Sequence, residues 1–236
     1  MRWEFTPDEF LYAWQQLGAD RNPIPLSLRP SVVWRDEWEE IERELRRRLP
    51  VLEDPDLLPV LRTAADPDMS LILIGSRRHP LRACGAVTAN IGVTMVQRPG
   101  PEPAVGGNVI IEVGSPGFVP KVFAAVSGNQ PAGRHPSMVE SWGRLQEDHP
   151  VVGLVRDESS ILDRMRSLLA APRVGSGHIE ILCDRRAARP LPPRYLSWFD
   201  VEGDGRYVYT RRHGDFLIDP CSADEVRRSL ARLMEA

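Results

Sequence analysis

The sequence predicts an α+β fold: a central antiparallel sheet with flanking helical bundles, built as a quasi-twofold internal repeat. Three observations lead there. Helical periodicity gives way to strand periodicity near residue 69, and does so again near residue 178. Most successive strands are separated by only a few residues, too short for the crossover a parallel pair requires, so each group of four is a meander. Each group is then closed by one amphipathic helix. The plan reads as a single domain over 1–236, with halves of about 1–127 and 151–236 joined by a linker at 128–150.

The elements are justified in order. Trp3–Phe5 reads as a short strand. Thr6, Pro7 and Glu9 form a capping box with proline at the first helical position, ahead of an apolar stripe of Phe10, Leu11, Trp14 and Leu17 that stops at Gly18. "NPIPLSLRP" (22–30) is extended, because each proline pushes its predecessor out of the helical region. "WRDEWEEIERELRRRL" places Trp34, Trp38, Ile41 and Leu45 on one stripe, with Glu39/Arg43, Glu42/Arg46 and Glu44/Arg48 as i,i+4 pairs on its wet side. A shorter helix follows over 56–65, interrupted by Pro59.

"MSLILIGS", "PLRACGAV", "IGVTMVQR" and "NVIIEVG" are the first meander, and "GFVPKVFAAVS" is its helix, with Phe118, Val122, Phe123 and Val126 on one side. The Pro- and Gly-rich stretch 128–150 reads as linker with one weak helical turn. The second half opens with the helix "DESSILDRMRSLLAA", whose stripe is Ile161, Leu162, Met165, Leu168 and Leu169. Strands "HIEILCDRR", "YLSWFDVE", "RYVYTRR" and "DFLIDP" follow. Ser222 and Glu225 then start a last helix with Val226, Leu230 and Leu233 aligned. "LILIGSRRHPLRAC" and "IEILCDRRAARPLPPRYL" share a strand, an Arg-Arg pair, a proline turn and a second strand. Two such halves paired edge to edge make one sheet without exposed inner edges.

Composition narrows the function classes. With 33 acidic and 30 basic residues interspersed, a net charge of −3 argues against nucleic acid. Lys121 is the one lysine, so basic contacts fall to arginine, suited to planar recognition of carboxylates. Cys84, Cys183 and Cys221 are widely spaced and odd in number, which fits a reduced, cytoplasmic protein rather than a disulfide framework or zinc ribbon. Neither an export signal nor a membrane span is visible.

The chemistry-bearing patterns are thin. In "SWFDVEGDGRYVYTRR" (197–212), Asp200, Glu202, Asp204 and Gly205 match the start of a calcium loop, but Arg211 stands where the closing carboxylate belongs, and the aromatic flanks read as a hairpin. The three carboxylates are expected on a solvent turn. The sequence contains no GxSxG, Walker A, GxGxxG or HExxH, and no cofactor or metal is expected. Cys183 with His178 stays open as a nucleophile and base that would meet in space, against the reading of a buried thiol on an apolar strand. A sheet-forming interaction module with no chemistry of its own is another reading.

The segments "GSGHIEILCDRR", "PRYLSWFDVEGDGRYVYTRR" and "GDFLIDPCSADEVRRSLARLM" in this order resemble the end of the EspG family, chaperones of actinobacterial type VII (ESX) secretion. The matching positions are Gly177, Asp200, Gly205, Arg206, Tyr207 and Pro220. "FTPDEFLYAWQQLG" with "PIPLSL" is similar to the family's first helix and connector, and "PAGRHPSM" to its mid-chain linker. Residues 98–107 do not match, and Phe216 stands where tryptophan is frequent. The resemblance implies a cytosolic, non-enzymatic chaperone that binds the PPE subunit of PE–PPE heterodimers at the tip of its helical hairpin. Such a surface needs an apolar groove with a polar rim. The expected rim residues are Arg77, Arg78 and His79, and the expected groove residues Met165, Leu230 and Met234. A free sheet edge would also allow pairing with a second copy.

Overall fold

The hairpin-length connections close into one sheet. In the computed structural model, which describes residues 1–19, 21–147, 160–185, 187–189 and 191–235, the first half runs β1 (Arg2–Phe5), α1 (Pro7–Gln15), α2 (Arg35–Arg48), α3 (Leu57–Ala65), β2 (Met69–Ser76), β3 (Pro80–Thr88), β4 (Ile91–Pro99), β5 (Gly106–Gly114) and α4 (Phe118–Ser127). The second runs β6 (Met138–Ser141), α5 (Trp142–Gln146), α6 (Ile161–Ala170), β7 (Arg173–Leu182), β8 (Arg194–Val201), β9 (Arg206–Arg212), β10 (Asp215–Pro220) and α7 (Ala223–Glu235). The strand order is β1-β5-β4-β3-β2-β7-β8-β9-β10-β6, antiparallel throughout.

That order is a quasi-twofold. β2 and β7 pair at the centre, and outward from each runs a meander, β2 to β5 on one side and β7 to β10 on the other. β1 then adds to β5 as β6 adds to β10. Residues 138–146, inside the stretch read as linker, therefore supply the second half's counterpart of the N-terminal strand and the helix after it. Residues 148–150 of that stretch, 157–159 of the expected helix start and Arg186 of the expected strand lie outside the described residues.

Local chemistry fixes the ends of the helices. Glu9 N–H donates to Thr6 Oγ1 at 3.3 Å while Thr6 N–H donates to the Glu9 carboxylate at 2.8 Å. Ser222 and Glu225 repeat the box at 3.3 and 2.6 Å, and the Ser222 N–H and hydroxyl hold the Glu225 carboxyl below its ordinary pKa. Pro59 and Pro120 do not break their helices, because each sits in the first turn, where the missing N–H has no intrahelical acceptor.

Three apolar cores result. α1, α2 and α3 pack on β3, β4 and β5 around Phe10, Trp14, Leu61, Met95 and Ile111. α4 and α7 pack together on the opposite face of the sheet's middle, around Leu71, Phe123, Ile179, Trp198 and Leu230. α6 closes the third core, around Met165, Phe199, Tyr207 and Ile218. The stripes differ in detail from the expected ones. Trp34 is 70% exposed and only Leu45 of α2 is buried, α4 turns Val119 and Phe123 inward rather than Phe118, and Ile161 of α6 is exposed. On α2 the pair Glu42–Arg46 forms at 3.6 Å, whereas Arg48 leaves Glu44 for Glu9 on α1 at 2.6 Å, tying the two helices together.

Candidate functional site

Register fixes which side chains share a face, because strand residues alternate. Ile72 lies opposite Cys84 and Glu180, Ile74 opposite Arg82 and His178, and His178 opposite Ser197. All of these lie on the face that carries the first and third cores. α1 to α3 cover one end of this face and α6 the other, while α4 and α7 occupy the reverse side. Among the described residues, a strip over β2, β7 and β8 is left uncovered by any helix. On it Ile74 is 41% and Tyr195 52% exposed, His178 is exposed, and Ile72, Glu180 and Ser197 are half-buried. The Tyr195 hydroxyl donates to Glu180 at 3.1 Å, and that bond raises the phenol's pKa. The strip thus sets apolar Ile72 and Ile74 on β2 and Tyr195 on β8 to either side of polar His178 and Glu180 on β7.

Glycine explains how these central strands come so close. Gly75 pairs with Gly177, and Gly177 with Trp198. A Cβ on Gly177 would lie 2.5 Å from Trp198 Cη2 and 2.7 Å from the Ile74 carbonyl oxygen. Trp198, fully buried, lies over the glycine pair on the reverse face.

At the end of β2 the chain turns through Arg77, Arg78 and His79. These three line a cleft of about 800 Å³ together with Gln130, Arg173 and apolar neighbours. Behind the cleft is a buried ion cluster. Asp200, on β8, accepts from Arg206 Nε at 2.7 Å and Nη2 at 3.1 Å, and from Arg77 Nη2 at 3.1 Å. Arg206 also donates to the Ser127 hydroxyl and carbonyl at 2.8 and 2.6 Å, and its guanidinium lies over the Trp198 ring at 5.7 Å. The cluster therefore ties the β2–β3 turn to β8, β9 and the end of α4.

This corrects the expectation of a solvent turn at 200–204. Asp200 and Arg206 have no exposed surface. The β8–β9 hairpin does form, with its tip at Glu202–Asp204 and Gly203 at φ +69°. Asp204 is drawn in as well. Burial pushes its carboxyl upward, but the Tyr207 hydroxyl and the Arg134 N–H outweigh this and leave it below the ordinary range. Burial, with Asp204 beside it, pushes Tyr207 up to about 12. Arg211, opposite the calcium-loop pattern, stacks over Trp142 at 4.9 Å.

The residues expected to bind a partner are not brought together. Arg77 is held mainly by Asp200, with its side chain 25% exposed. Arg78 and His79 are exposed at the turn. Met165 and Leu230 are fully buried, in separate cores on opposite faces of the sheet, so neither offers a groove surface. Met234 is half-buried against the core of α4 and α7. Apolar periodicity marked these positions, and periodicity reports packing. His178 and Cys183 are also kept apart. His178 lies on the open strip, while Cys183 is buried in the α4–α7 core and receives Arg194 Nη1 at 3.5 Å. Sequence reasoning missed the strip itself, whose only signal was Ile74 and Tyr195 alternating with core positions.

Comparison with known proteins bears on this arrangement. A search of curated proteins found no match. Among solved structures, the Mycobacterium tuberculosis type VII secretion system chaperone EspG5, determined in complex with the PE25–PPE41 dimer, superposes with a TM-score of 0.68 at 13% identity, over 98% of this chain and 95% of that one. That likeness shows the fold. The EspG family model matches residues 6–232, nearly the whole sequence. The chain belongs to the EspG family.

Proposed function

We propose that the chain is a cytosolic chaperone that seats the end of a helical client of PE–PPE type on the open strip and keeps it soluble for type VII secretion. The observation that carries this reading is the uncovered strip, with Ile72, Ile74 and Tyr195 between two helical groups. Family membership supports it, as does the fold shared with a chaperone solved with a PE–PPE dimer. Among the described residues no helix is long and apolar enough to cross a membrane. Residues 1–236 act on this reading as one domain of two related halves that share one floor.

The action is gripping without turnover. A client's apolar tip is a liability in water, and burying it is worth about 25 cal/mol for each Å² covered. A floor of paired strands is ordered before the client arrives, so little conformational freedom is lost on binding. Arg78 and His79 form the polar rim at one end of the strip. Met165 and Leu230 act only through packing.

The test is co-expression with PE–PPE heterodimers encoded in the same genome, followed by size-exclusion chromatography. A stable co-eluting complex is expected. Ile74→Asp, which charges the floor, should abolish it without changing the circular dichroism spectrum. If no heterodimer co-elutes, or if Ile74→Asp binds as well as wild type, the reading is wrong.

A further inference from the structure

We infer that the cleft at the end of β2 is a receptor for an acidic side chain or short acidic segment of the client, so that client choice is set by charge as well as by apolar fit. The identity of the bound molecule as a client rests on the chaperone reading; the acid-binding chemistry of the cleft does not.

Three observations carry the inference. Arg77, Arg78, His79, Gln130 and Arg173 line the cleft, and among the described residues no carboxylate lines it. The nearest acidic partner, Asp200, is behind it and already shared between Arg77 and Arg206. One negative charge against two positive ones leaves an excess of positive charge under the cleft. Finally, its outer cations are uncommitted to acids. Among the described residues Arg78 has no ion-pair partner, and Arg173 is held by the Leu169 carbonyl at 3.1 Å and by the Phe199 ring at 4.7 Å, neither of which neutralises it.

A chain of net charge −3 has thus gathered three arginines in one recess. Guanidinium groups present flat pairs of donors that match the two oxygens of a carboxylate. Phosphate would satisfy the same donors, but a nucleic acid strand needs a basic track with stacking platforms along its length. Here three arginines sit in one recess, and among the described residues that line it there is no Phe, Tyr or Trp. A carboxylate or a short acidic protein segment fits a recess of this size and charge.

The experiment uses fluorescence anisotropy with two fluorescein-labelled helical peptides of alanine with glutamate, or with glutamine in its place. The glutamate peptide should bind the full-length protein saturably, about tenfold or more tighter than the glutamine peptide, and should weaken steeply when salt rises from about 50 to about 500 mM. Arg78→Glu, which breaks no hydrogen bond or ion pair among the described residues, and Arg173→Glu should each lower its affinity by about tenfold. Equal binding of the two peptides, or indifference to both substitutions in folded protein, overturns the inference. Displacement of the peptide by an equimolar single-stranded oligonucleotide also overturns it, in favour of phosphate. Ile74→Asp separates the two readings, because it removes client co-elution while leaving peptide binding in place. If co-elution fails for every heterodimer while the glutamate peptide binds, the chaperone reading falls and the acid receptor stands. The opposite pattern leaves the chaperone and removes the receptor.

Discussion

Replacing Asp200 with alanine tests the ion cluster most directly. The carboxylate is 1% exposed, and its removal leaves the Arg206 guanidinium, with no exposed surface, facing only the Ser127 oxygens. Three charge-assisted hydrogen bonds disappear at once. Stranding a buried charge in this way costs about 3–5 kcal/mol. The total stability of a domain is typically about 5–15 kcal/mol, so the loss is a large share of it. At about 2–4 °C per kcal/mol for a chain of this length, the melting temperature should fall by about 6–20 °C. Calorimetry and urea titration monitored by circular dichroism measure both quantities. The double change Asp200→Ala, Arg206→Met removes both charges and should recover a substantial part of the loss. Hydrogen exchange at residues 77–79 should rise in the single variant, since Arg77 loses its partner. A cost below about 1 kcal/mol, or a double variant as damaged as the sum of the two singles, would refute the account of a desolvated, mutually dependent cluster.

Other consequences can be checked on purified protein. Gly177→Ala should destabilise by about 1–3 kcal/mol, because the new methyl group meets the Trp198 ring and a strand carbonyl; a neutral result in thermal melts would show that β2 and β7 are not so tightly apposed. Ser222→Ala should cost about 1 kcal/mol by opening the cap of α7, measured by urea titration. Glu225 and Asp204 have folded-state pKa values below their ordinary 4.5 and 3.8, so they stabilise the protein above those values. That contribution is lost as pH falls through the lowered values, and acid melts of Glu225→Gln should show a shallower decline than wild type. All three cysteines are buried. Burial raises the thiol of Cys84 far above its ordinary pKa and that of Cys221 to about 11, so a thiol reagent should react slowly until denaturant is added.

Legibility in the sequence followed the range of the interactions. The two capping boxes span four residues each, and both were visible as Thr6/Glu9 and Ser222/Glu225. The meanders were visible because a short loop forces neighbours to be antiparallel. β6 was hidden by its length, four residues behind Pro131 and Pro136, with pairing to β10 as its reason to be extended. The fate of Asp200 was hidden by distance. A Gly- and Asp-rich turn reads as wet, and although Arg206 is only six residues from Asp200, the groups that close the cluster around the pair are remote, Arg77 being 123 residues from Asp200 and Ser127 79 from Arg206. The strip was hidden for a different cause. Ile74 looks like any core residue, and its exposure depends on where the helices of the two halves fail to reach, which periodicity does not encode. Met165 and Leu230 were chosen on the same apolar signal and belong to the interior.

The central pairing of β2 with β7, from Ser70 opposite Leu182 to Ser76 opposite Ser176, is the seam where the two meanders of the sheet join. Parting them would leave each with a bare ladder of amide and carbonyl groups beside Leu71, Leu73, Ile179 and Ile181, an adhesive margin for any stray strand. Each half alone would then be prone to clumping, and neither fragment can serve as a smaller version of the whole.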